Sequence, residues 1–173
     1  MDSTVRQRCR TIIQSLALPP QFTIEDVIRR AASARGRAIE LRPIDLSGVG
    51  LSGMLLWTRD RDIICYPTDA TGLHQGHIVA HELGHLLFDH SAAADPADPR
   101  HEPTAALPEP LRALVPDLSP QAIQGVLGRS THVTDHAPYS HRAELEAELF
   151  ATLLHTSVRV DRSIPGWMFA GTA

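Results

Sequence analysis

In two stretches of this chain apolar positions recur at the spacing of a helix with one buried face. The first runs from Leu73 to Phe88, where Ile78, Leu86 and the apolar residues between them keep that spacing and no proline intervenes. Thr71 just upstream offers a side-chain oxygen to the free N–H groups of a first turn, so the spacing predicts a helix that starts near residue 72 and frays by residue 90. The second runs from His141 to Leu154 and carries Leu145, Leu149, Phe150, Leu153 and Leu154 on its apolar side.

Ahead of these, the N-terminal third reads as two short helices, over residues 3–17 and 23–35, separated by Pro19-Pro20. Thr23 caps the second and Gly36 stops it. Three strands are expected next, Ala38–Pro43, Ser52–Thr58 and Ile63–Tyr66, the last two joined through the polar turn Arg59-Asp60-Arg61-Asp62. A small antiparallel sheet laid on the Leu73–Phe88 helix gives an α+β fold. Leu51–Trp57 is the candidate edge strand, able to hold an extended peptide by main-chain hydrogen bonds.

Residues 91–110 have a different texture. Prolines at 96, 99, 103, 108 and 110 exclude a continuing helix, and with little to bury the segment reads as a flexible surface loop. Beyond it, Ser119-Pro120 forms an N-cap and first-turn pair, so Leu118–Leu127 is expected to be a short helix ending at Gly128. It resembles the opening of a helix-turn-helix, but no basic recognition helix follows, and core packing is the better role.

With 173 residues and 43% apolar content the chain can bury one core, which predicts a single domain over 1–173. A net charge of −4 argues against nucleic acid as the main partner, because phosphate contacts need a surplus of basic side chains. The start Met-Asp-Ser-Thr-Val-Arg lacks a signal peptide's apolar segment, and no run nears the ~20 apolar residues of a membrane span. Together these predict a cytoplasmic protein without a membrane partner. Cys9 and Cys65 form no CxxC pair and are expected to be reduced thiols.

The chemistry sits inside the first long helix, where His81-Glu82-Leu83-Gly84-His85 spells HExxH. Residues i and i+4 lie one above the other on a helix, so His81 and His85 can reach one ion from a single rigid element. Glu82 faces the same cavity without binding the ion and is free to take a proton from an activated water. A catalytic zinc site takes three protein ligands and keeps a position open. The metzincin pattern is excluded, since Phe88 stands at its glycine and Ser91 at its third histidine.

The third ligand is therefore sought on the second long helix. Glu144 and Glu148 are four apart and share a face, whereas Glu146, rotated by about 200° from Glu144, is expected to look toward solvent. Such a carboxylate pair lets one member bind metal and the other accept the free N–H of a ligating imidazole. Glu144 is accordingly placed on the ion and Glu148 behind a histidine. His77 lies one turn before His81, but i and i+8 are about 12 Å apart along a helix axis, which makes it a neighbour and not a ligand.

These two blocks, HIVAHELGHLL at 77–87 and ELEAELFATLL at 144–154, resemble the ImmA/IrrE family of metallo-endopeptidases across residues 50–157. The resemblance implies a zincin-like fold, zinc held by His81, His85 and Glu144, and Glu82 as general base. Glu148 stands where the family usually has Asn or Asp. It also implies a bacterial cytoplasmic protein whose protein substrate is a helix-turn-helix repressor or antitoxin.

The expected reaction is peptide hydrolysis by metal-activated water, with Glu82 moving the proton from water to the leaving amine. Tyr139, His141, His136 and His132 all precede Glu144 closely enough to supply an oxyanion donor, and spacing does not choose among them. The rival is a zinc-containing regulatory module that sequesters a repressor without cutting it. A His-His-carboxylate set also suits manganese or iron.

Overall fold

The computed structural model describes residues 3–47, 50–90, 109–118, 123–130 and 141–157, which form an α+β arrangement of five helices and one four-stranded sheet. The elements in chain order are α1 (Ser3–Ser15), α2 (Ile24–Arg35), β1 (Ala38–Ile44), β2 (Leu51–Thr58), β3 (Arg61–Pro67), α3 (Gly72–Leu87), α4 (Glu109–Leu114), β4 (Ile123–Ser130) and α5 (His141–Ser157). No helix among the described residues is long and apolar enough to cross a membrane.

Local chemistry sets the helix ends. The Thr23 side chain accepts from the Asp26 backbone N–H at 3.2 Å while Thr23 N–H donates to Asp26 Oδ2 at 2.9 Å, a reciprocal cap on α2. Gly36 closes that helix at φ 63°, a left-handed conformation that costs glycine little. Thr71 caps α3, accepting from His74 N–H at 3.4 Å.

The strands lie in the order β1-β3-β2-β4. β2 pairs antiparallel with both β3 and β4, but β1 pairs parallel with β3, so the sheet is mixed and not antiparallel as the sequence suggested. Among the described residues only the Thr58-to-Arg61 connection is a tight hairpin. After β1 the chain crosses to the far side of where β3 will lie, so β3, returning between them, runs alongside β1. Pro43 is tolerated because β1 is an edge strand among the described residues.

Two further expectations are corrected. The Leu51–Trp57 strand is interior, flanked by β3 and β4, and its backbone is committed to both ladders, so it has no free edge to offer a peptide. Residues 123–127 are not helical; they open β4, whose register runs from Leu51↔Ser130 to Thr58↔Ile123. Gly125 and Gly128 weaken a helix here, and pairing with β2 overrides the local signal of Ser119-Pro120, which lies outside the described residues. Residues 91–108 of the expected loop lie outside them too, while Glu109 and Pro110 already open α4, where a proline is accepted.

Alternation along the strands divides the interior into two layers. Leu55, Ile64 and Tyr66 face α1, α2, α3 and α5 and join Val27, Val79, Leu83 and Phe150. Met54, Leu56, Ile63 and Cys65 face the other way and are covered by Leu114 at the end of α4 and by Val115 and Leu118 after it. A strand covered on both faces reads as a continuous apolar run, as Met54-Leu55-Leu56 does. At the hairpin end the fully buried Asp62 receives Arg35 at 3.2 Å and Arg37 at 2.7 Å, joining α2 and its exit to the sheet.

Candidate metal centre

α3 is held between the sheet and α5, and most of its side chains are enclosed, including His81, Glu82 and His85 at 1%, 2% and 1% exposure. Three polar side chains sealed in this way are costly unless something pairs with them. Their contacts with α5 run in opposite chain directions, His77 meeting Glu148 and His85 meeting Glu144, so the two helices are antiparallel. They come close because Gly84 has no side chain: a Cβ there would lie 3.1 Å from Ala147 Cα.

That approach brings the three expected ligands together. His81 Nε2 and His85 Nε2 are 3.0 Å apart, His81 Nε2 is 3.5 Å from Glu144 Oε2, and His85 Nε2 is 3.6 Å from Glu144 Oε1. One ligand atom from each of the three lies within 4.8 Å of the others, the only such grouping among the described residues. Tetrahedral zinc with bonds near 2.0–2.1 Å separates its donors by roughly 3.3 Å, so this donor set fits such an ion in both chemistry and spacing. Glu144 retains 28% side-chain exposure, against 1% for each of the two rings.

Glu148 lies beside His81 and His77. Its Oε2 is 3.4 Å from His81 Nδ1, while Oε1 is 3.1 Å from His77 Nε2. His77 is a partner of Glu148 and stands outside the ligand cluster; its ring stacks on His155, 5.6 Å away between centroids. Burial, and then His77, push the His155 imidazolium below its ordinary value.

No family model, curated protein or solved structure matches this chain.

Glu146 departs from expectation. It is 3% exposed, because α1 covers the flank of α5 turned away from Glu144, and its carboxylate takes Arg8, Arg142 at 3.3 Å and His90 Nε2 at 3.0 Å. Burial pushes its carboxyl up, but the bonds from His90 and Arg142 and the charge of Arg8 outweigh it and hold the group below the usual glutamate range. The helical rotation of about 200° is right; the neighbour on that side is a helix, not water.

Three contributors had no clear signal in the sequence. His90 lies past the end of α3 at 7% exposure, with Nδ1 2.9 Å from His85 Nδ1. Burial pushes its imidazolium down, against the opposing pull of Glu146. Gly53, at a register shift in β2, gives Glu82 its room, since a Cβ there would stand 2.7 Å from Glu82 Oε1. Arg8 reaches Glu146 from the first helix of the chain. Of the oxyanion candidates, Tyr139, His136 and His132 lie outside the described residues, and His141 begins α5.

A cavity of about 380 Å³ lies against the earlier turns of α3, lined by Leu46, Leu51, Ser52, His74 and Ile78 among others. Ile78 also flanks Gly53, with Cγ2 2.8 Å from the Cβ position there, so the cavity and Glu82 share a wall.

Proposed function

We propose that this chain is a zinc-dependent endopeptidase with a zincin-like site of the ImmA/IrrE kind. The observation that carries the reading is the convergence of two sealed imidazoles and the half-open Glu144 carboxylate at zinc-donor spacing, with a second acid, Glu82, buried beside them. His81 and His85 approach from one face of α3, and Glu144 closes the set from α5. Three protein ligands with one open side are the ligation of a hydrolytic centre; a structural zinc site is closed by four.

A bound divalent ion supplies Lewis acidity, lowering the pKa of water toward 7 and polarising a peptide carbonyl. The chain's own residues do the rest. Glu82 is the base that takes the proton from the attacking water and returns it to the leaving amine, a role suited to an acid the ligand set does not use. Gly53 leaves the room that Glu82 takes against β2. Glu148 orients His81. An extended peptide can add to the sheet at β4, the edge beside β2 among the described residues.

The substrate we propose is a protein, a helix-turn-helix repressor or antitoxin, met in the cytoplasm. This part of the reading rests on the likeness of the two motif blocks to the ImmA/IrrE pattern. The rival is a zinc-containing module that sequesters such a repressor without cutting it.

Glu82→Gln separates the two. The endopeptidase reading expects the variant to bind zinc as the wild type does and to lose cleavage of a repressor substrate. Wild-type cleavage by Glu82→Gln overturns the assignment, and wild-type inhibition of the repressor without cleavage favours sequestration.

A further inference from the structure

We infer that His90 and Glu146 are positioning residues of the metal centre: they set which ring nitrogen of His85 is bare, and through Arg8 they make α1 part of that centre. The inference rests on the proposed hydrolytic reading for what the bare nitrogen is used for, but the proton on His85 is argued from the contacts His85–His90 and His90–Glu146, and the 3.0 Å contact between the two Nε2 atoms then takes its hydrogen from His81 in the metal-free protein.

The direction of each bond is constrained by the group at its end. Glu146 Oε2, held as a carboxylate, can only accept, so the 3.0 Å contact places a hydrogen on His90 Nε2. A neutral imidazole carries one N–H, which leaves His90 Nδ1 as an acceptor. His85 Nδ1, 2.9 Å away, must then be the donor. With its hydrogen on Nδ1, His85 presents a bare Nε2, and that is the atom 3.0 Å from His81 Nε2 and 3.6 Å from Glu144. Metal-ligating histidines need their second nitrogen occupied in this way.

The arrangement is built and not incidental. His90 and Glu146 are both buried, where an unsatisfied polar pair would be costly and an apolar pair would serve the core as well. The His90 ring stacks on Phe88 at 5.4 Å between centroids, and the Arg8 guanidinium sits 5.2 Å from the Phe88 ring centre, which limits the orientations His90 can take. Arg8 and Arg142 hold Glu146 from α1 and from α5 itself. His81 has a different partner, Glu148. The two ligating rings are thus oriented from opposite flanks of α5.

The test uses the full chain with ¹⁵N-labelled histidine, free of metal, in long-range proton–nitrogen spectra that distinguish hydrogen-bearing from bare ring nitrogens. His85 is expected to carry its hydrogen on Nδ1 in the wild type and to move it to Nε2 in His90→Ala. Zinc affinity, measured by competition with a chromophoric chelator, is expected to fall about 10- to 100-fold in His90→Ala. It should recover in large part in His90→Gln, whose amide can accept and donate along the same path. A wild-type His85 with its hydrogen on Nε2 overturns the inference, and this spectrum needs no variant to fold. Unchanged zinc affinity in His90→Ala overturns it as well. His81→Ala in the same titration is the control: if it binds zinc like the wild type, the metal-centre reading itself fails, whereas an effect confined to His81→Ala removes only the role of His90.

Discussion

Gly53 on β2 and Glu82 on α3 approach so closely that a Cβ at residue 53 would stand 2.7 Å from Glu82 Oε1 and 2.8 Å from Ile78 Cγ2. The strand thus acts as a wall against which the proposed base rests. Gly53→Ala is expected to displace Glu82 while leaving His81, His85 and Glu144 in place. Its kcat should drop about 10²-fold with zinc content unchanged, since a misplacement near 1 Å has that effect on a reacting group. An alanine variant with wild-type kcat would show that the acid does not need this wall.

The Gly84–Ala147 contact has a different consequence. A valine at 84 cannot be accommodated by a side-chain shift, because the nearest atom is Ala147 Cα, part of the α5 backbone. Gly84→Val should destabilise the fold by about 1–3 kcal/mol. It should also weaken zinc binding, because Glu144 and Glu148 retreat with α5. Denaturant unfolding and chelator competition check the two effects separately. Loss of stability with intact affinity would mean that the helices can part without opening the centre.

Asp26 makes one acid-side contribution to stability legible. The Thr23 backbone N–H, and then the Arg29 side chain, hold its carboxyl below the ordinary aspartate range. A depressed folded value favours the folded state above the unfolded value and ceases to do so as pH falls through the folded value. Asp26→Asn should therefore have a lower Tm than the wild type at neutral pH, and the gap should close as acidification carries the pH down through and below the ordinary aspartate range. A gap independent of pH would assign the effect to cap geometry instead of charge.

Cys9 and Cys65 are both buried, and burial pushes their thiols to about 11 and about 12. The thiolate is the reactive form, so neither should react with a disulfide reagent in native protein at neutral pH. Both should react on unfolding, and a thiol-exchange time course with and without denaturant measures this. Fast native labelling of Cys9 would imply that α1 opens readily from α5, exposing Glu146 as well.

Helices α1, α2, α3 and α5 were legible in the sequence because their signals are local. Thr23, Gly36 and Thr71 act within a turn of their own backbone, and His81 with His85 fix their spacing on one element. The pairing of Glu144 with that element could also be read, because its face follows from helical rotation. What was missed depends on partners distant in sequence. β1 runs parallel to β3 because β2 lies beyond it; residues 123–130 extend because β2 offers a ladder; Glu146 is buried because α1 lies over it. Periodicity assigns a face to a residue but not the identity of what that face meets. His90 shows this best, since a lone histidine after a helix gains meaning only from His85 on one side and Glu146 on the other.

The split origin of the ligands has one more implication. His85 and Glu144 are about sixty residues apart in the chain, so an ion gripping both closes a long loop, and a cross-link over that distance removes much conformational freedom from the unfolded polymer. On the proposed metal-bound reading, loading with metal and resistance to heat become linked equilibria, so removal of the ion by a chelator is expected to lower the Tm as well as to abolish turnover.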